Sequence, residues 1–376
     1  AIDFDPTLPV KDENGDYALS PYITKDNPLA IAYGKDARNK EFRTFGTVYG
    51  EYFIIPELSV KLNLGGDVAS SRRDVFVDSR TKAGRDNDGI GTVINGFRYN
   101  YLAEATVHFD KAFDWGDNIS VVAGATRQEF FVERFNANAS GFISEETGTN
   151  SLQSGTQSTY GINTSSLPHS LVSFLGRLNY SWQDRLLFTS TFRADGSSRF
   201  GENNKYGYFP SAALAWKLTN EQFMQDQNIF SSLKLRTSWG QTGNQNIGNF
   251  NSLTTFSASS WPVIYGDEQY VIMNPTRMPN PDLKWETTSQ TDVGLDYGFL
   301  EGRITGSIDY FYRKTTDLLI NYPVPSQTGF NSQLANVGSL ENKGWEFDVT
   351  SHNLTGNFKW TTNLNFSATT NEVLDL

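Results

Sequence analysis

Hydrophobic and polar side chains alternate along much of this sequence with a period of two residues. The clearest case is residues 358–368, where alternate positions hold the large apolar side chains of Phe358, Trp360, Leu364 and Phe366. The positions between them hold Lys359, Asn363, Asn365 and Ser367. Because successive side chains of a β-strand point to opposite faces, this pattern predicts a strand with one apolar and one polar face.

Two other segments repeat the pattern, with charges only at the polar positions. In residues 303–313, Ile308 is an apolar position and Asp309 a polar one, and in residues 185–193, Phe188 alternates with Thr189. Strands of a soluble β-sandwich and strands of a membrane β-barrel both alternate in this way. Alternation alone therefore leaves both architectures open.

Twelve segments are predicted to form strands. The last eight alternate regularly, whereas the first four are less regular, and Arg127 interrupts the apolar positions of the fourth. The twelve predicted strands are Arg43–Tyr52, Glu57–Val68, Phe97–Phe109, Asn118–Phe131, Ser170–Trp182, Arg185–Asp195, Tyr208–Leu218, Ser232–Gln241, Gln290–Phe299, Arg303–Thr315, Lys343–Ser351 and Phe358–Thr370.

The connections between these strands alternate in length. Short ones take turns with long ones; the short set includes residues 183–184, 300–302 and 352–357, and the long set 71–96, 132–169, 242–289 and 316–342. Up-and-down barrels of outer membranes have short periplasmic turns and long extracellular loops, with strands of about nine to eleven residues. Strands of ordinary globular proteins average about five or six residues. The sequence therefore favours an all-β, antiparallel, up-and-down transmembrane β-barrel.

One connection and the two chain ends carry further expectations. Residues Leu218–Met224 are predicted to form a short helix capped by Asn220. With the short turns in the periplasm, the first and the twelfth strand both place a chain end outside the cell. Since an open sheet edge in lipid leaves costly unpaired backbone groups, residues 1–376 are expected to be part of one larger barrel domain.

Composition removes several classes of function. The formal net charge of −11 argues against a nucleic-acid partner, because binding phosphates requires clustered Lys and Arg. The absence of cysteine excludes disulfide frameworks, thiolate metal sites and cysteine nucleophiles. No apolar run approaches the roughly 18 residues of a membrane-spanning helix. The mean hydropathy of −0.45 does not test for a barrel, because half of the strand residues of a barrel are polar.

No catalytic or metal-binding pattern stands out. Neither a Gly-x-Ser-x-Gly elbow nor a phosphate-binding loop is present, so catalysis is not expected. His108, His169 and His352 are far apart in sequence and are expected to be ordinary polar side chains. Residues 12–16 and 86–89 resemble the start of a calcium loop but lack the distal glutamate. Solvated turns are the default there, with calcium as the lesser alternative and no other cofactor expected.

One long loop is a candidate binding surface. Residues 250–278 carry Phe256, Trp261, Tyr265 and Tyr270 among Ser, Asn and Gln. Flat aromatic faces beside amide groups suit sugar rings or peptides, and loops on a rigid scaffold commonly carry binding residues. The same aromatic side chains would also suit packing against neighbouring loops or a partner protein, so both alternatives stay open.

Several strings in the second half of the sequence resemble a known family. They are residues 178–189 (LNYSWQDRLLFT), 193–201 (RADGSSRFG), 204–211 (NKYGYFPS), 215–216 (AW), 233–240 (LKLRTSWG), 243–245 (GNQ), 279–286 (PNPDLKWE) and 342–346 (NKGWE). In this order they are similar to the SusC/RagA family of TonB-dependent outer-membrane transporters of Bacteroidetes. The resemblance is specific from about Leu171 to the end and weaker before it.

The resemblance implies a multi-pass protein of the cell outer membrane with a plugged barrel of about 22 strands, of which this chain would supply about twelve. It also implies TonB-driven import of an oligomeric nutrient, such as a glycan or peptide, with a SusD-like surface lipoprotein. The plug, the TonB-interacting segment and the terminal strands are expected to lie outside this sequence. A passive porin or structural barrel is the main alternative, and an outer-membrane hydrolase a second one.

In such a barrel the charged side chains of the polar face are expected to line either the plug interface or the transport path, with plug packing preferred. These residues are Arg177, Arg193, Lys234, Arg236, Asp292, Asp296 and Arg313.

Overall fold

The computed structural model describes residues 4–22, 25–259 and 263–376, and these residues form mostly antiparallel β-structure. Twelve long strands make up most of it: β1 Lys35–Ile55, β2 Leu58–Val77, β3 Ile90–Ala112, β4 Asn118–Ser140, β6 His169–Trp182, β7 Leu186–Ser197, β8 Tyr206–Lys217, β9 Phe230–Asn244, β14 Glu286–Phe299, β15 Ile304–Thr316, β18 Ser339–Thr355 and β19 Lys359–Asp375. Shorter strands lie in the long connections: β5 Gly161–Ser166, β10 Phe256–Ala258, β11 Val263–Tyr265, β12 Glu268–Tyr270, β13 Met273–Pro275, β16 Leu319–Pro323 and β17 Ser332–Asn336.

The long strands neighbour one another in chain order, as an up-and-down sheet requires. The order is β1-β2-β3-β4-β6-β7-β8-β9-β14-β15-β18-β19, and β5 pairs with β4 beside this path. From β6 to β19 each successive pair is antiparallel. Among the described residues, β1 and β19 are the ends of this order and each has one neighbour in it.

All twelve predicted strands are present, but two predicted long loops are wrong in part. β4 continues to Ser140, inside the loop expected at residues 132–169, and the larger difference lies between β2 and β3. Residues 71–96 were expected to connect two strands, whereas β2 continues to Val77 and β3 already begins at Ile90. Pairing between the strands extends them through sequence that alternates poorly. The short helix α2, Lys82–Asp86, fills the remaining connection, and Thr81 caps it by accepting a hydrogen bond from the Gly84 N–H.

The predicted helix at Leu218–Met224 is also corrected. The segment forms two separate 3₁₀ turns, Leu218–Asn220 and Gln222–Met224, and Asn220 caps neither. Its side-chain amide donates instead to the Asp184 backbone carbonyl in the neighbouring turn, at 2.8 Å. Asn220 is the last residue of the first turn, and Glu221 occupies the N-cap position of the second.

Contacts divide the chain into two compact units. The first comprises residues 1–47, 65–101 and 129–168. It has a small core of Phe76, Ala139 and Phe142, in which the rings of Phe76 and Phe142 meet edge-on at 5.2 Å. Its helix α1, Pro28–Gly34, begins after Asn27, whose side chain accepts a hydrogen bond from the Leu29 N–H.

The second unit comprises residues 48–64, 102–128 and 169–376, and its sheet has two chemically different faces. Register places one apolar row across it: Tyr180, Phe188, Leu214, Thr237, Val293, Tyr310, Trp345 and Ala368. The next row, on the opposite face, runs through Thr189, Ala213, Ser238, Asp292, Phe311, Gly344 and Thr369. The alternation in the sequence is therefore an alternation of faces in the sheet.

The apolar face of this sheet is open and not covered by a second layer. Phe188, Phe192 and Phe366 expose 38%, 51% and 64% of their surface. Soluble proteins rarely expose so many contiguous large apolar side chains. The described residues thus rule out the sandwich alternative, in which these side chains would be sealed in a core.

Candidate functional site

The charges of the polar face meet on three adjacent strands. Lys234 and Arg236 on β9 both bond the carboxylate of Asp296 on β14, at 2.6 and 2.9 Å. Arg236 also reaches Asp309 on β15, at 2.7 Å. Pairing fixes this arrangement, because Lys234 lies opposite Asp296, and Arg236 and Asp309 both lie opposite Gly294.

Gly294 makes the bridge between Arg236 and Asp309 possible. The guanidinium crosses the middle strand to reach a carboxylate two strands away. A Cβ atom at position 294 would lie 2.3 Å from an Asp309 carboxylate oxygen and 2.7 Å from the Arg236 Cζ atom. Only a residue without a side chain leaves room for this ion pair.

Two further charged residues complete the cluster. Asp292 accepts hydrogen bonds from Ser238 at 3.2 Å and from Gln290 at 2.7 Å. Gln290 in turn accepts a hydrogen bond from Arg313 at 3.0 Å. We call the set Lys234, Arg236, Asp292, Asp296, Asp309 and Arg313 the charged patch. It holds three cations and three carboxylates, and each of them has a partner inside the sheet.

Five of the seven polar-face residues predicted from the sequence belong to the charged patch, and two do not. Arg193 pairs with Asp195 on its own strand at 2.7 Å and donates to Ser173 at 2.9 Å. Arg177 donates to Asn179 at 3.2 Å. Whether any of the seven touches a plug or a substrate stays a prediction.

Sequence reasoning missed three acidic side chains of the same face. Asp309 was recognised as a polar position but not as part of a cluster, because its partner Arg236 is far away in sequence. Glu346 and Asp348 on β18 are exposed on the polar face, beside Asp309 and Ser307. The alternation Trp345-Glu346-Phe347-Asp348 was a usable signal for both.

A shallow depression adjoins the charged patch. Its floor is made of small residues on β8 and β9, namely Ser211, Ala213, Ser238 and Gly240. Arg193 and Asp195 border it on one side, and Gln290 and Asp292 on the other. The groove thus combines small residues with bonded charges, and Phe209 and Trp239 also line it.

The long-loop ends of the strands are tied together by a buried cluster, which we call the loop core. It consists of Phe200, Phe209, Leu283, Trp285 and Leu334. Leu283 is fully buried, and its carbonyl accepts a hydrogen bond from the Gly201 N–H at 2.9 Å. A Cβ at Gly201 would lie 1.9 Å from the Pro281 carbonyl oxygen, so glycine permits this close approach.

Polar contacts support the loop core from one side. Arg199 donates to the Asn249 side chain and to the Gln245 carbonyl, both at 3.0 Å, and lies 3.2 Å from the His169 ring. The Trp285 indole N–H donates to the Lys205 carbonyl at 3.0 Å. Two strings that carry the family resemblance, residues 193–201 and 279–286, therefore meet here, and their visible role is architectural.

The predicted aromatic loop forms two small hairpins, β10 with β13 and β11 with β12. Phe256, Tyr265 and Tyr270 all expose about half of their surface or more. Trp261 lies outside the described residues. The three described rings are free to contact a ligand or a partner, and the choice between these two stays open.

The short-turn ends of the strands hold a separate ion pair. Glu221 is almost wholly buried between Arg185, which binds it through two nitrogens, and the Trp216 indole, which donates at 2.9 Å. The hydrogen bonds from Arg185, followed by the one from Trp216, lower the pKa of the Glu221 carboxyl below its ordinary value. In the tight turn of the neighbouring hairpin, Gln183 and Asp184 have φ angles of 48° and 55°.

The two segments that resemble calcium loops use their oxygens internally. One Asp12 carboxylate oxygen accepts hydrogen bonds from the backbone N–H groups of Asn14 and Asp16, at 2.9 and 3.0 Å. Asp86 lies 3.6 Å from Lys82. Within the described ranges, no three His, Cys, Asp or Glu side chains are grouped so that they would hold a metal ion.

Comparison with known proteins decides the family. The sequence model described as "TonB dependent receptor-like, beta-barrel" matches residues 3–375. The chain belongs to this family of outer-membrane β-barrels. The predictions of a SusC/RagA-type barrel, of its all-β antiparallel fold and of its place in the outer membrane are confirmed.

Curated relatives and solved structures agree. TonB-dependent receptor P26 of Formosa agariphila is 35% identical over 99% of this chain and 38% of its own length. TonB-dependent receptor SusC of Bacteroides thetaiotaomicron is 36% identical over 93% of this chain and 35% of its own length. The solved structure of the RagAB peptide transporter has 24% identity and a TM-score of 0.84, covering 97% of this chain and 40% of that one.

The chain corresponds to only part of the length of each of these relatives. The chain spans about 38% of the length of the P26 receptor and less of the SusC receptor. Among the described residues, no helix has the length and apolar character needed to cross a membrane.

Proposed function

We propose that this chain is part of the barrel wall of a transporter that uses TonB to import an oligomeric nutrient through the outer membrane. Membership of the TonB-dependent receptor family carries this proposal. The two-faced sheet supports it, since an apolar face suits lipid and a polar face suits an aqueous interior. The rest of the transporter would include a plug and additional strands beside β1 and β19.

The nutrient we propose is a glycan or a peptide, captured together with a SusD-like lipoprotein at the cell surface. The name SusC and the peptide transport by RagAB belong to those relatives and motivate this choice. The exposed rings of Phe256, Tyr265 and Tyr270 support a surface contact of this kind. We further propose that the protein is a carrier without catalytic activity.

Uptake by living cells tests the proposal. A strain that carries the full-length protein as its only importer of this type would be given labelled oligosaccharides and peptides of increasing length. We expect uptake of one class that stops when a protonophore collapses the proton gradient. Uptake that survives the protonophore would identify a passive pore, and breakdown of the substrate by the purified protein would identify a hydrolase.

The three exposed rings of the aromatic loop are tested in a separate binding experiment. Replacing Phe256, Tyr265 and Tyr270 together by Ala removes three aromatic faces without touching the sheet. We expect weaker capture of the nutrient or of the lipoprotein, measured by calorimetry on the full complex. Unchanged affinity for both would remove these rings from the binding surface. Val263, an exposed aliphatic residue of the same hairpins, provides the control substitution to Ala.

A further inference from the structure

We propose that the apolar face carries, at its long-loop end, a binding site for the phosphate group of a lipid headgroup in the outer leaflet of the membrane. The site consists of Lys314, Lys343, Glu341 and Tyr312, which we call the rim cluster. The proposal depends on the place of the family in the outer membrane and not on the nutrient or on TonB. Family membership puts the apolar face in lipid, and the rim cluster adds which headgroup chemistry it selects.

Charged residues on the apolar face are confined to one sector. Register assigns alternate residues of the described strands from β6 to β19 to this face, and most of them are apolar or uncharged. The charged ones all lie near the long-loop ends of β15, β18 and β19; they are Lys314, Glu341, Lys343, Glu372 and Asp375. At the level of Lys314, β14 and β9 carry the uncharged Ser289 and Gln241.

The height of the rim cluster matches the boundary of the membrane. Ile304 is the first residue of β15 after a short turn, and Lys314 lies ten residues later on the same face. Ten residues of about 3.4 Å each, on a strand tilted by about 40°, rise roughly 26 Å, whereas the apolar band of such a barrel is about 25 Å tall. Since the long loops of these barrels are extracellular, Lys314 lies at the level of the outer headgroups.

Both lysines of the rim cluster have N–H donors left for a ligand. Lys343 bonds Glu341 at 2.8 Å, and the Tyr312 hydroxyl donates to the same carboxylate at 3.0 Å. Lys314 lies opposite Glu341 in the register, and its ammonium has no hydrogen bond or ion pair within the described part of the chain. An ammonium group has three N–H donors, so Lys314 keeps all of them and Lys343 keeps those that do not bond Glu341.

The spacing of the two lysines suits a phosphate. Lys314 and Lys343 are diagonal neighbours on adjacent strands, a relation that places the two positions about 7–8 Å apart. Their flexible stems can follow the apolar surface and bring both ammonium groups to one anion among the headgroups. Phosphate oxygens accept charge-assisted hydrogen bonds, which are roughly twice as strong as neutral ones. Clustered lysines beside a membrane recognise anionic lipids by the same chemistry.

The acidic residues of this sector restrict where the phosphate lies. Glu341 is already bonded to Lys343 and Tyr312. Glu372 lies opposite Glu341 on β19, and Asp375 lies opposite Ser339 on the same strand. Because neighbouring strands are about 4.8 Å apart, both are roughly 10 Å or more from Lys314 at the backbone. The phosphate is therefore expected on the β15 side of Lys343, away from β19.

Aromatic rings lie directly below the rim cluster. Tyr310 and Trp345 are one row nearer to the membrane centre, their ring centroids are 4.9 Å apart, and Trp345 exposes 49% of its surface. Such rings are favoured where acyl chains meet headgroups. Lys343 and Trp345 both belong to the string of residues 342–346 that carries the family resemblance. The proposal gives this string a headgroup contact and an acyl-chain contact on the same face.

Lipid retention by the purified full-length protein tests the proposal. The protein in an uncharged detergent is mixed with lipid A or with the same lipid after removal of its phosphates, and native mass spectrometry counts the bound molecules. We expect stronger retention of the phosphorylated form, and we expect an equal concentration of inorganic phosphate not to displace it. Equal retention of the two forms would overturn the proposal. Displacement by inorganic phosphate would also overturn it, because the site would then bind a free anion.

Variants locate the binding. Lys314→Gln should weaken retention of lipid A about five-fold, as expected for one lysine at an anionic membrane surface, and adding Lys343→Gln should weaken it further. Lys284→Gln removes a lysine that pairs with Asp317 outside the rim cluster and should have no effect. Glu372→Gln removes an acidic charge of the same sector and should not weaken retention. Unchanged retention in the double variant, or an equal loss in Lys284→Gln, would contradict the site.

Folding and transport are measured separately from lipid binding. Heat-modifiable migration in gel electrophoresis shows whether each variant is folded. Lys314→Gln alone carries the test if the double variant misfolds, because Lys314 has no bond to lose among the described residues. Uptake that requires the proton gradient, measured in cells, reports on the proposed function alone. Folded protein that imports its nutrient but does not prefer phosphorylated lipid would remove the lipid site and leave the proposed function standing.

Discussion

Gly294 shows how a single position without a side chain organises charges on three strands. The Arg236 guanidinium passes over it to bind Asp309, while Asp296 holds the same guanidinium and Lys234 from the side. Gly294 is needed for the space that it leaves above the backbone and not for its conformation, because its φ angle is not positive. The sequence shows a glycine in a strand but does not show what crosses it.

Replacing Gly294 by Ala tests this account. The added methyl group would overlap with both Arg236 and Asp309, and we expect a loss of about 1–3 kcal/mol in the free energy of unfolding, as for other overpacked sites. Denaturant titration of the folded full-length protein measures it. Gly176→Ala is the matched control, since a Cβ there meets no atom within 4 Å. Equal stability of the two variants would contradict the crossing geometry.

Glu221 gives a prediction for pH. Its pKa is lowered in the folded protein by Arg185 and Trp216, so the ion pair contributes stability above the ordinary carboxyl pKa. That contribution is lost as the pH falls through the lowered pKa. We expect Glu221→Gln to unfold at a lower temperature than the unaltered protein at pH 7, with the difference shrinking in acid. A difference that is the same at all pH values would contradict the pairing.

The strands are the elements that sequence predicts best. In β6 to β8 and in β15 the predicted ends lie within two residues of the observed ones, because side chains such as Phe188 and Thr189 sort to opposite faces. In β14, β18 and β19 one or both ends were missed by four or five residues. The ends of β2 and β3 were misjudged, since strand pairing and not local pattern holds residues 71–77 and 90–96 in the sheet.

The sequence did not predict which distant segments contact each other in the candidate site. The sequence indicated which charges share a face, because the period of two determines this directly. It did not indicate that Arg236 joins Asp309, or that residues 193–201 meet residues 279–286, because register between strands separated by a long loop decides both. Asn220 was wrongly predicted as a helix cap for the same reason, because the sequence does not show its contact with Asp184 in the neighbouring turn.

The loop core predicts that one buried leucine holds two long connections in place. Leu283→Ala should cost about 2–5 kcal/mol, the range for leucines in packed cores, and should loosen the loop between β9 and β14. Limited proteolysis of intact membranes would show faster cleavage in that loop. Leu253→Ala, at an exposed position of the same loop, should change little. Equal cleavage of both variants would remove the loop core as a support.

At the scale of the whole molecule, the two faces must have different surroundings. An arginine on the lipid face of a barrel costs about 2–4 kcal/mol at mid-membrane. Phe192→Arg should therefore impair assembly in the outer membrane, whereas Thr191→Arg, one residue away on the polar face, should be tolerated better. The yield of folded, heat-modifiable protein measures this. Equal damage at both positions would contradict the assignment of faces.

The most direct test of the account measures what each face touches. Spin labels are attached one at a time at residues 188–192 of the full-length protein in membranes, and collisions with oxygen and with a water-soluble nickel reagent are recorded. The account predicts high oxygen access at Phe188, Ser190 and Phe192 and high nickel access at Thr189 and Thr191 whenever the plug is displaced. Access without a period of two, or with the two sets exchanged, would contradict it.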